Sequence, residues 1–535
     1  MAWQILRRKS IPGILSETAQ PGGVSLRRTL GTWDLISLGI GAIIGAGIFA
    51  TIGTAAAGDA TRMGAGPGVI LSFVFTAVAC AFSALSYAEF AALVPVSGSA
   101  YTYAYSTLGE LVAWIIGWDL IIEYAVGNMA VAIAWAAYFH QLCAGLGWHI
   151  PAWLAVDFRS ASQAADVISQ ATLAQAAGYV AAGPLGLPIP SAAALTLLED
   201  ATRALPLEAW LGHPVWLGIP VIFNFLAVAI VAALTWLLCI GIKESARANN
   251  AMVIIKLFIL LFFIVVGVWY VRPGLWSPLL PNGLAGVWSG ASAIFFAYIG
   301  FDAISTASEE CVNPARDMPR GIIGSLVICT IIYVATAVVL TGLEPWQNLG
   351  VADPLAYVFV RLNMNWAAGI VSLGAVVAMT AVLLVFQLGQ PRIFFAMSRD
   401  GLLPPYFARV HPRWRTPHVT TIWTGVVVAA VAAAANIQEI VDLANIGTLF
   451  AFLLVNAGII VLRKTDPDRP RPFRTPWVPV IPLLGILTCV QLMIHLPAIS
   501  WKRFGIWLLA GLVLYFCYGY GHSRLHRAAG SGPKT

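Results

Sequence analysis

The sequence predicts an all-helical membrane protein that crosses the bilayer many times, and three observations lead to this fold class. Of its 535 residues, 59% are hydrophobic and 10% are charged, whereas charged residues make up about 25% of a typical soluble domain. Apolar runs of about 20 residues, long enough to cross a bilayer as a helix, recur along the chain. Basic residues concentrate in alternate connections between these runs. This composition excludes a soluble protein.

Twelve apolar runs satisfy the length criterion for a spanning helix. They are predicted near residues 33–56, 67–93, 110–142, 217–240, 250–271, 284–310, 321–342, 366–396, 418–435, 440–462, 477–497 and 503–520. Between the second and third runs, an amphipathic stretch from Pro95 to Gly109 predicts a short cytoplasmic helix. The long connection 144–216 is Ala-rich, which suggests short helices over the outer face, and its residues point to no chemistry.

Lysine and arginine indicate how the chain is oriented, because positively charged loops remain cytoplasmic. With the N-terminus inside, twenty-two of these residues fall in inner segments, seven in outer loops and one, Lys256, in a span. Both termini are therefore predicted to be cytoplasmic, in the plasma (inner) membrane. The net charge of +6 is explained by this topology and needs no nucleic-acid partner. No removable signal peptide is expected, because the basic start is followed by a polar stretch.

Span 1 is interrupted by glycine near its centre. Residues 38–51 read LGIGAIIGAGIFAT, and Gly45 and Gly47 lie where a spanning helix should be most regular. Glycine weakens a helix by about 1 kcal/mol per residue, and backbone groups freed at this depth need protein, water or a ligand as partners. The break is therefore a candidate binding site. The alternative is that Gly41 and Gly45, spaced as GxxxG, only allow close helix packing.

Span 6 is the second irregular span. Gly300 followed by Asp302 predicts a helix that stops and restarts, with Asp302 as the N-cap of the second half. Interrupted segments at corresponding positions of two halves indicate an inverted-repeat transporter with a site at the membrane midplane. The predicted organisation is a cytoplasmic arm (1–32), a first five-helix repeat (33–271, with the 144–216 insertion), a second repeat (284–462), helices 11 and 12 (477–520) and a cytoplasmic tail (521–535).

Four motifs resemble the bacterial branch of the cationic amino acid transporter family, within the amino acid, polyamine and organocation superfamily. They are GAIIGAGIF (41–49), GIKESARANN (241–250), FFAYIGFDAISTASEE (295–310) followed by NPARDMP, and GQPRIFFAMSRDGLLP (389–404). The resemblance runs from about Leu26 to Arg474, apart from the loop after span 3. It implies the leucine-transporter fold, with a 5+5 inverted repeat and helices 1 and 6 unwound around an amino acid.

The resemblance also implies how the two ends of an amino acid are bound. Helix N-termini attract anions, and free carbonyls at C-termini attract cations. By the resemblance, the substrate carboxylate would bind the N–H groups around Gly45, Ala46 and Gly47. The ammonium would bind the carbonyls of Ile43, Phe296, Ala297 and Ile299. The family often has Ser or Thr where this chain has Ala46, so a hydroxyl contact is lost while the backbone donors remain.

Lys256 lies about seven residues into span 5, where an ionisable side chain is a functional hypothesis by default. In related transporters a lysine at this position occupies the space that sodium fills in sodium-coupled relatives. By that resemblance Lys256 would carry the coupled proton. The alternative is a lysine near the helix end whose ammonium reaches the cytoplasmic surface.

Other side chains are open to two interpretations each. By the resemblance, Phe296 closes over the substrate, or it packs in the core as other phenylalanines of span 6 do. Asn128 on span 3 either lines the pocket or forms an interhelical hydrogen bond. Asp119 and Glu123 either pair with Lys256 or line a water path. At the cytoplasmic mouth, a charged cluster is either an inner gate or solvated; its members are Glu309, Glu310, Arg316, Asp317, Arg392 and Arg399.

No catalytic or metal-binding pattern accompanies these spans. The only HxxxH is His522 with His526 in the polar tail, the seven cysteines contain no CxxC pair, and no metal or organic cofactor is implied. The sequence predicts a proton-coupled permease for neutral or cationic amino acids, with the bilayer, a free amino acid and protons as partners. An amino acid or polyamine exchanger and a non-transporting amino acid receptor are the alternatives, and the sequence does not define an oligomeric state.

Overall fold

The computed structural model describes residues 7–9, 28–59, 62–96, 99–166, 205–240, 246–411 and 416–525. The α-helices are α1 (Thr32–Ile43), α2 (Gly47–Ala57, with a π-helical turn at Gly47–Thr51), α3 (Val69–Leu93), α4 (Ser99–Thr107), α5 (Glu110–Gly145), α6 (Leu205–Leu211), α7 (Phe225–Ile240), α8 (Ala246–Gly267), α9 (Gly283–Ile294), α10 (Pro314–Leu343), α11 (Pro354–Arg361), α12 (Asn365–Arg399), α13 (His418–Ala434), α14 (Ile437–Thr465), α15 (Val480–Ile494), α16 (Ala498–Leu514) and α17 (Tyr520–His522).

Shorter elements connect these helices. A π-helical turn covers Tyr515–Gly519, and 3₁₀ turns cover Gly66–Gly68, Ala152–Leu154, Val268–Tyr270, Pro273–Trp276, Phe295–Tyr298, Asp302–Glu310, Trp346–Leu349 and Pro405–Ala408. Two antiparallel hairpins complete the described structure: β1 (Gly58–Asp59) pairs with β2 (Arg62–Met63), and β3 (Val215–Trp216) pairs with β4 (Ile219–Pro220).

Helices occur at each of the twelve predicted positions, but they differ in length. Among the described residues, eight helices are long and apolar enough to cross a membrane, or nine if the bent pair α1 and α2 counts as one span. Three further apolar helices, α7, α13 and α15, are shorter. The sequence criterion overestimates α7 and α15 because it counts apolar residues outside the helix: residues 215–220 form the β3–β4 hairpin, so α7 begins only at Phe225. The short helix predicted between Pro95 and Gly109 is present as α4.

The core is organised around α5. Its most apolar 18-residue window is entirely buried within the protein, and it packs along α12 and α14. A second group forms where α10 packs against α3 and α1. Because α5 is covered on all sides, polar residues along it face other helices rather than lipid.

A buried ion-pair cluster fastens the connection after α14 to the end of α3. The Glu89 carboxylate is fully buried and accepts hydrogen bonds from Arg463 Nε and Nη2, each at 2.9 Å. Arg471 Nε lies 3.2 Å from Glu89 Oε1, and the Thr475 backbone N–H donates to the same carboxylate at 2.8 Å. The segment from Arg471 to Thr475 is therefore held by one acidic side chain.

We predict that Glu89→Ala destabilises the protein strongly, because it leaves the Arg471 guanidinium buried without its counter-charge. Removal of one partner of a buried ion pair costs about 3–5 kcal/mol. Thermal unfolding of the purified protein in detergent measures the effect. Asp466→Ala is the matched control, since Asp466 pairs with Arg469 at 3.4 Å while its side chain is 43% exposed, and exposed pairs contribute about 1 kcal/mol or less. Equal losses for both variants would contradict the role of Glu89.

Candidate functional site

The first helix break lies between α1 and α2. The axes of the two helices differ by 42°, and Ile44 at the break has extended dihedral angles (φ −76°, ψ 102°). In the described structure no side chain caps the start of α2. The break therefore presents the N-terminus of one half-helix and the C-terminus of the other within a buried environment, as predicted from Gly45 and Gly47.

Lys256 on α8 binds the carbonyl groups that this break releases. Its ammonium donates to the carbonyl of Gly41 at 2.8 Å and to that of Ile44 at 3.0 Å. The side chain is 0% exposed, so the lysine does not reach the surface, which was the alternative interpretation. A cation at the C-terminal end of a half-helix is electrostatically favoured, and here it also satisfies two carbonyls that lost their helical partners.

The second break follows α9. A 3₁₀ turn continues to Tyr298, Ile299 is extended (φ −60°, ψ 133°), and Gly300 has φ +121°, a conformation that favours glycine. A 3₁₀ segment then runs from Asp302. Asp302 was predicted to be the N-cap, which is wrong by one residue: the segment begins at Asp302 itself, and Phe301 (φ −65°, ψ −28°) is the residue before it.

The two breaks touch each other through their backbones. A β-carbon on Gly47 would lie 2.2 Å from the Cα of Ala297, and one on Gly300 would lie 2.9 Å from the carbonyl of Ala42. A real β-carbon does not approach another heavy atom this closely, so glycine is required at both positions. Gly45 is less constrained, since a β-carbon on Gly45 would lie 3.0 Å from a methyl group of Val382, its nearest neighbour.

Tyr333 on α10 links the two breaks. Its hydroxyl lies 3.0 Å from the carbonyl of Ile43 and 3.0 Å from that of Ala297. A hydroxyl has one proton to donate, so it is shared between two carbonyls that the family resemblance assigned to the substrate ammonium. Sequence reasoning missed Tyr333, although a tyrosine within an apolar span was a visible signal.

Asn445 on α14 binds the carbonyl groups at the second break, as Lys256 binds those at the first. Its amide donates to the carbonyls of Ser292 and Ala293 at 2.8 and 3.1 Å. These carbonyls end α9, and Asn445 is fully buried. This residue was also missed; a polar residue within span 10 was the available signal. Each half-helix that ends at the site is thus completed by a polar side chain from another helix.

The remaining residues that the resemblance implied lie at the same junction. Ile43, Ala46, Phe296, Ala297 and Ile299 are all buried. The carbonyl of Phe296 accepts a hydrogen bond from the Ile299 N–H at 3.3 Å, so that carbonyl already has one partner. Its second lone pair stays available.

Asn128 on α5 makes the interhelical contact that was one of its two interpretations. Its side-chain N–H donates to the Gln387 amide oxygen on α12 at 3.0 Å. The Asn128 amide oxygen is buried and has no hydrogen-bond partner among the described residues. A buried acceptor without a donor is a candidate contact for a polar ligand group.

The carboxylates of Asp119 and Glu123 on α5 make no contact with Lys256 in the part of the chain that the structure describes. Asp119 and Glu123 are buried, and Asp119 faces α14, where a β-carbon on Gly447 would lie 2.6 Å from its Oδ1. Neither oxygen of Asp119 has a hydrogen-bond partner in the described structure. The Lys256 ammonium binds the carbonyls of Gly41 and Ile44 instead, so the structure does not show a direct ion pair between Lys256 and either carboxylate.

Charged pairs close the end of the bundle near the β1–β2 hairpin. Arg62 on β2 lies 3.0 Å from Asp442 on α14 and 3.1 Å from Asp59. The Arg62 and Asp442 side chains are 3% and 6% exposed. Nearby, Glu439 pairs with Arg159 at 2.5 Å and with Arg503 at 2.7 Å. This network is not evident from the sequence, because Asp442 and Glu439 are far from their arginine partners in the chain.

The charged cluster predicted at the opposite mouth is not an ion-pair network in the part that the structure describes. Asp317 is buried and accepts a hydrogen bond from the Thr32 hydroxyl at 2.6 Å. Arg316 is exposed and has no side-chain partner among the described residues. The Glu309 side chain and His526 lie outside the described residues.

Fold and site together define a multi-pass integral membrane protein in which two broken helices bring backbone polar groups to one buried junction. The sequence model of the family described as "Amino acid permease" matches residues 30–516. The branched-chain amino acid permease BcaP of Bacillus subtilis (strain 168) is 45% identical over 528 residues, covering 98% of this chain and 100% of the relative.

Two further relatives extend the comparison. The methylthioribose transporter of Bacillus subtilis (strain 168) is 41% identical, with 95% of this chain and 97% of the relative covered. The vacuolar cationic amino acid transporter 4 of Arabidopsis thaliana is 33% identical, with 87% and 68% covered. The chain therefore belongs to the amino acid permease family. The resemblance predicted from its motifs is confirmed, and the protein is a transporter rather than an enzyme.

We predict that Gly47→Ala weakens substrate binding. The added methyl group would meet the backbone of Ala297, and overpacking of this kind costs about 1–3 kcal/mol, which corresponds to about a 5- to 150-fold loss of affinity. Binding of a radiolabelled amino acid substrate to the purified protein measures the change. Gly45→Ala should have a smaller effect, because it meets only the Val382 side chain, which can shift.

Gly369→Ala is the matched control for this experiment. Gly369 lies on α12, and a β-carbon there would have no neighbour within 4 Å, so substrate binding should be unchanged. Thermal unfolding of each variant separates loss of the site from loss of the fold. If Gly47→Ala bound the amino acid substrate as well as Gly369→Ala does, the contact between the breaks would not shape the site.

Proposed function

We propose that this protein is an amino acid permease that couples substrate movement to protons by alternating access. The observation that carries the proposal is the buried junction of two broken helices, where α1 and α9 end and α2 begins. A free amino acid carries a carboxylate and an ammonium, and opposed half-helix ends offer complementary partial charges. Family membership supports amino acid transport as the activity.

In this proposal the substrate is recognised through the backbone. Its carboxylate binds the N–H groups around Gly45, Ala46 and Gly47. Its ammonium binds carbonyls of the two breaks and replaces the Tyr333 hydroxyl as their hydrogen-bond donor. The absence of a hydroxyl at Ala46 leaves these backbone donors in place. Glycine at position 47 supports this arrangement, since it allows the backbone of the first break to approach the backbone of the second.

The side chains around the breaks favour neutral aliphatic amino acids. Val382 faces Gly45 and Ala297 faces Gly47, so both walls are apolar, and burying an aliphatic side chain against them is favourable. One relative is named as a branched-chain amino acid permease, which agrees with this inference. Another is named as a cationic amino acid transporter, so arginine and lysine are the competing substrate class.

Lys256 is the proposed proton carrier. Its protonated form donates to Gly41 and Ile44 and so holds the end of α1 against α8. Loss of the proton removes the charge that binds these carbonyls, which frees α1 to move. Because the ammonium is 0% exposed, it can exchange its proton only when the surrounding helices open, and this requirement ties protonation to conformational change.

The proposed architecture is the 5+5 inverted repeat with two additional helices, both termini cytoplasmic, in the plasma membrane. The first repeat covers 33–271 and the second covers 284–462, so the breaks fall in the first helix of each. In that orientation the Arg62–Asp442 pair lies at the outer mouth, and Phe296 covers the substrate. We assign no chemistry to the connection 144–216, of which residues 167–204 lie outside the described structure.

Transport assays with purified protein in liposomes test the proposed function. We expect leucine, isoleucine and valine to raise the apparent melting temperature of the purified protein, because a ligand that binds only the folded state stabilises it. Inward proton gradients should then accelerate uptake of the same amino acids. Counterflow without any response to a proton gradient would identify an exchanger, and binding without flux would identify a receptor. Stabilisation by methylthioribose alone would contradict amino acid transport.

We predict that Lys256→Met abolishes the stimulation of uptake by an inward proton gradient while substrate binding is retained. Methionine fills similar space but offers neither a proton nor a donor for Gly41 and Ile44. Uptake by liposomes at external pH 5.5 and 7.5 measures the effect. Lys502→Met is the matched control, because Lys502 is an exposed lysine on α16. Normal proton stimulation in Lys256→Met would overturn the role of Lys256 and leave substrate recognition by the breaks intact.

A further inference from the structure

A cavity of about 620 Å³ opens beside the first two turns of α10, away from the junction of the two breaks. Its wall combines two cationic side chains with apolar ones: Arg316, Pro319, Arg320, Ile323, Pro472 and Phe473. The volume falls in the range of small-molecule sites. Nothing in the transport mechanism proposed above uses this cavity.

The two arginines carry positive charge that no described group neutralises. Arg316 and Arg320 are one helical turn apart, so both lie on the same face of α10. Both are exposed, and neither has a side-chain hydrogen bond or ion pair among the described residues. The acid on the same turn, Asp317, is buried on another face, where it accepts the Thr32 hydroxyl. The cavity therefore favours an anion.

The opposite wall of the cavity is held in place before any ligand binds. Pro472 and Phe473 lie between Arg471 and Thr475, and these two residues are both fastened to the buried carboxylate of Glu89. A wall fixed by buried interactions loses little conformational freedom on binding, which favours affinity.

The face of α10 that carries the arginines continues into the lipid-facing surface. Following Arg320 along this face, Val327 is 51% exposed and Ile331 is 65% exposed. In a membrane-spanning helix, exposed aliphatic side chains face acyl chains. The cavity thus has guanidinium groups at its polar end and an apolar stripe running from it into the bilayer.

We propose that this cavity binds the phosphate headgroup of an anionic phospholipid. Arg316 and Arg320 pair with the phosphate oxygens, since arginine forms charge-assisted and often bidentate hydrogen bonds with phosphate. Phe473 and Ile323 contact the glycerol region, and one acyl chain follows Val327 and Ile331. The occupied site stabilises α10, the helix whose Tyr333 hydroxyl contacts both breaks.

The test uses the full-length protein purified in a neutral detergent, with dioleoyl phosphatidylglycerol as the probe and dioleoyl phosphatidylcholine as the uncharged comparison. Native mass spectrometry across a lipid titration gives the affinity of each bound lipid. We expect phosphatidylglycerol to bind more tightly than phosphatidylcholine. Because each basic residue near an anionic lipid contributes about a fivefold gain, Arg316→Gln with Arg320→Gln should weaken phosphatidylglycerol binding about thirtyfold and leave phosphatidylcholine binding unchanged.

The matched control is Arg399→Gln with Arg524→Gln, which removes two exposed arginines that do not line the cavity. This double variant should bind phosphatidylglycerol as the unmodified protein does. An equal loss in both double variants would show a general charge effect and overturn the site. Inorganic phosphate at millimolar concentration should not displace the lipid. If inorganic phosphate competed fully, a free anion rather than a lipid would be the ligand, and the lipid assignment would be wrong.

Discussion

The contact between the two broken helices determines the positions of the other functional groups. Gly47 approaches the backbone of Ala297, and Gly300 approaches the carbonyl of Ala42, so each break is fixed by the other. Two helices with side chains at these positions could not come so close. Because backbone groups at the centre of a membrane protein need partners, the carbonyl groups released at this contact require side chains of other helices to bind them.

Other helices supply those groups. Lys256 binds the carbonyls at the end of α1, Asn445 binds those at the end of α9, and the Tyr333 hydroxyl lies between Ile43 and Ala297. These contacts differ in one important way: only Lys256 can lose its positive charge. Asn445 can therefore bind the carbonyls of its half-helix at any pH, whereas binding by Lys256 depends on whether its amine is protonated. This asymmetry gives a physical basis for proton coupling at one break and not at the other.

Much of the fold was predictable from the sequence, because apolar run length and glycine position follow directly from the bilayer. The twelve helix positions, the break at Gly45–Gly47 and the irregularity at Gly300 required only local information. The lengths of α7 and α15 were overestimated, since a hydrophobicity count does not distinguish helical residues from an adjoining hairpin or loop. The N-cap was placed one residue late, at Asp302 instead of Phe301, because the local sequence does not determine the dihedral angles at the break.

The partners of the site residues were much harder to predict. Tyr333 and Asn445 are 36 and 152 residues from the carbonyls of Ala297 and Ala293 that they bind, and Arg62 is 380 residues from Asp442. Such pairs depend on how helices pack in three dimensions, which local spacing does not determine. The sequence left the charges near Asp317 open as a gate or as solvated groups, and it gave no sign of the buried Arg62–Asp442 pair at the hairpin end. Long-range packing, rather than residue type, decided that outcome.

The most direct measurement is a structure of the protein with a bound branched-chain amino acid, determined by electron cryomicroscopy in a lipid nanodisc. The account predicts ligand density between the two breaks, with the carboxylate within hydrogen-bonding distance of the N–H groups around Gly47 and the ammonium beside the carbonyls of Ile43 and Ala297. Density elsewhere, for example against Asp119, with the two breaks in unaltered contact and no ligand between them, would contradict it.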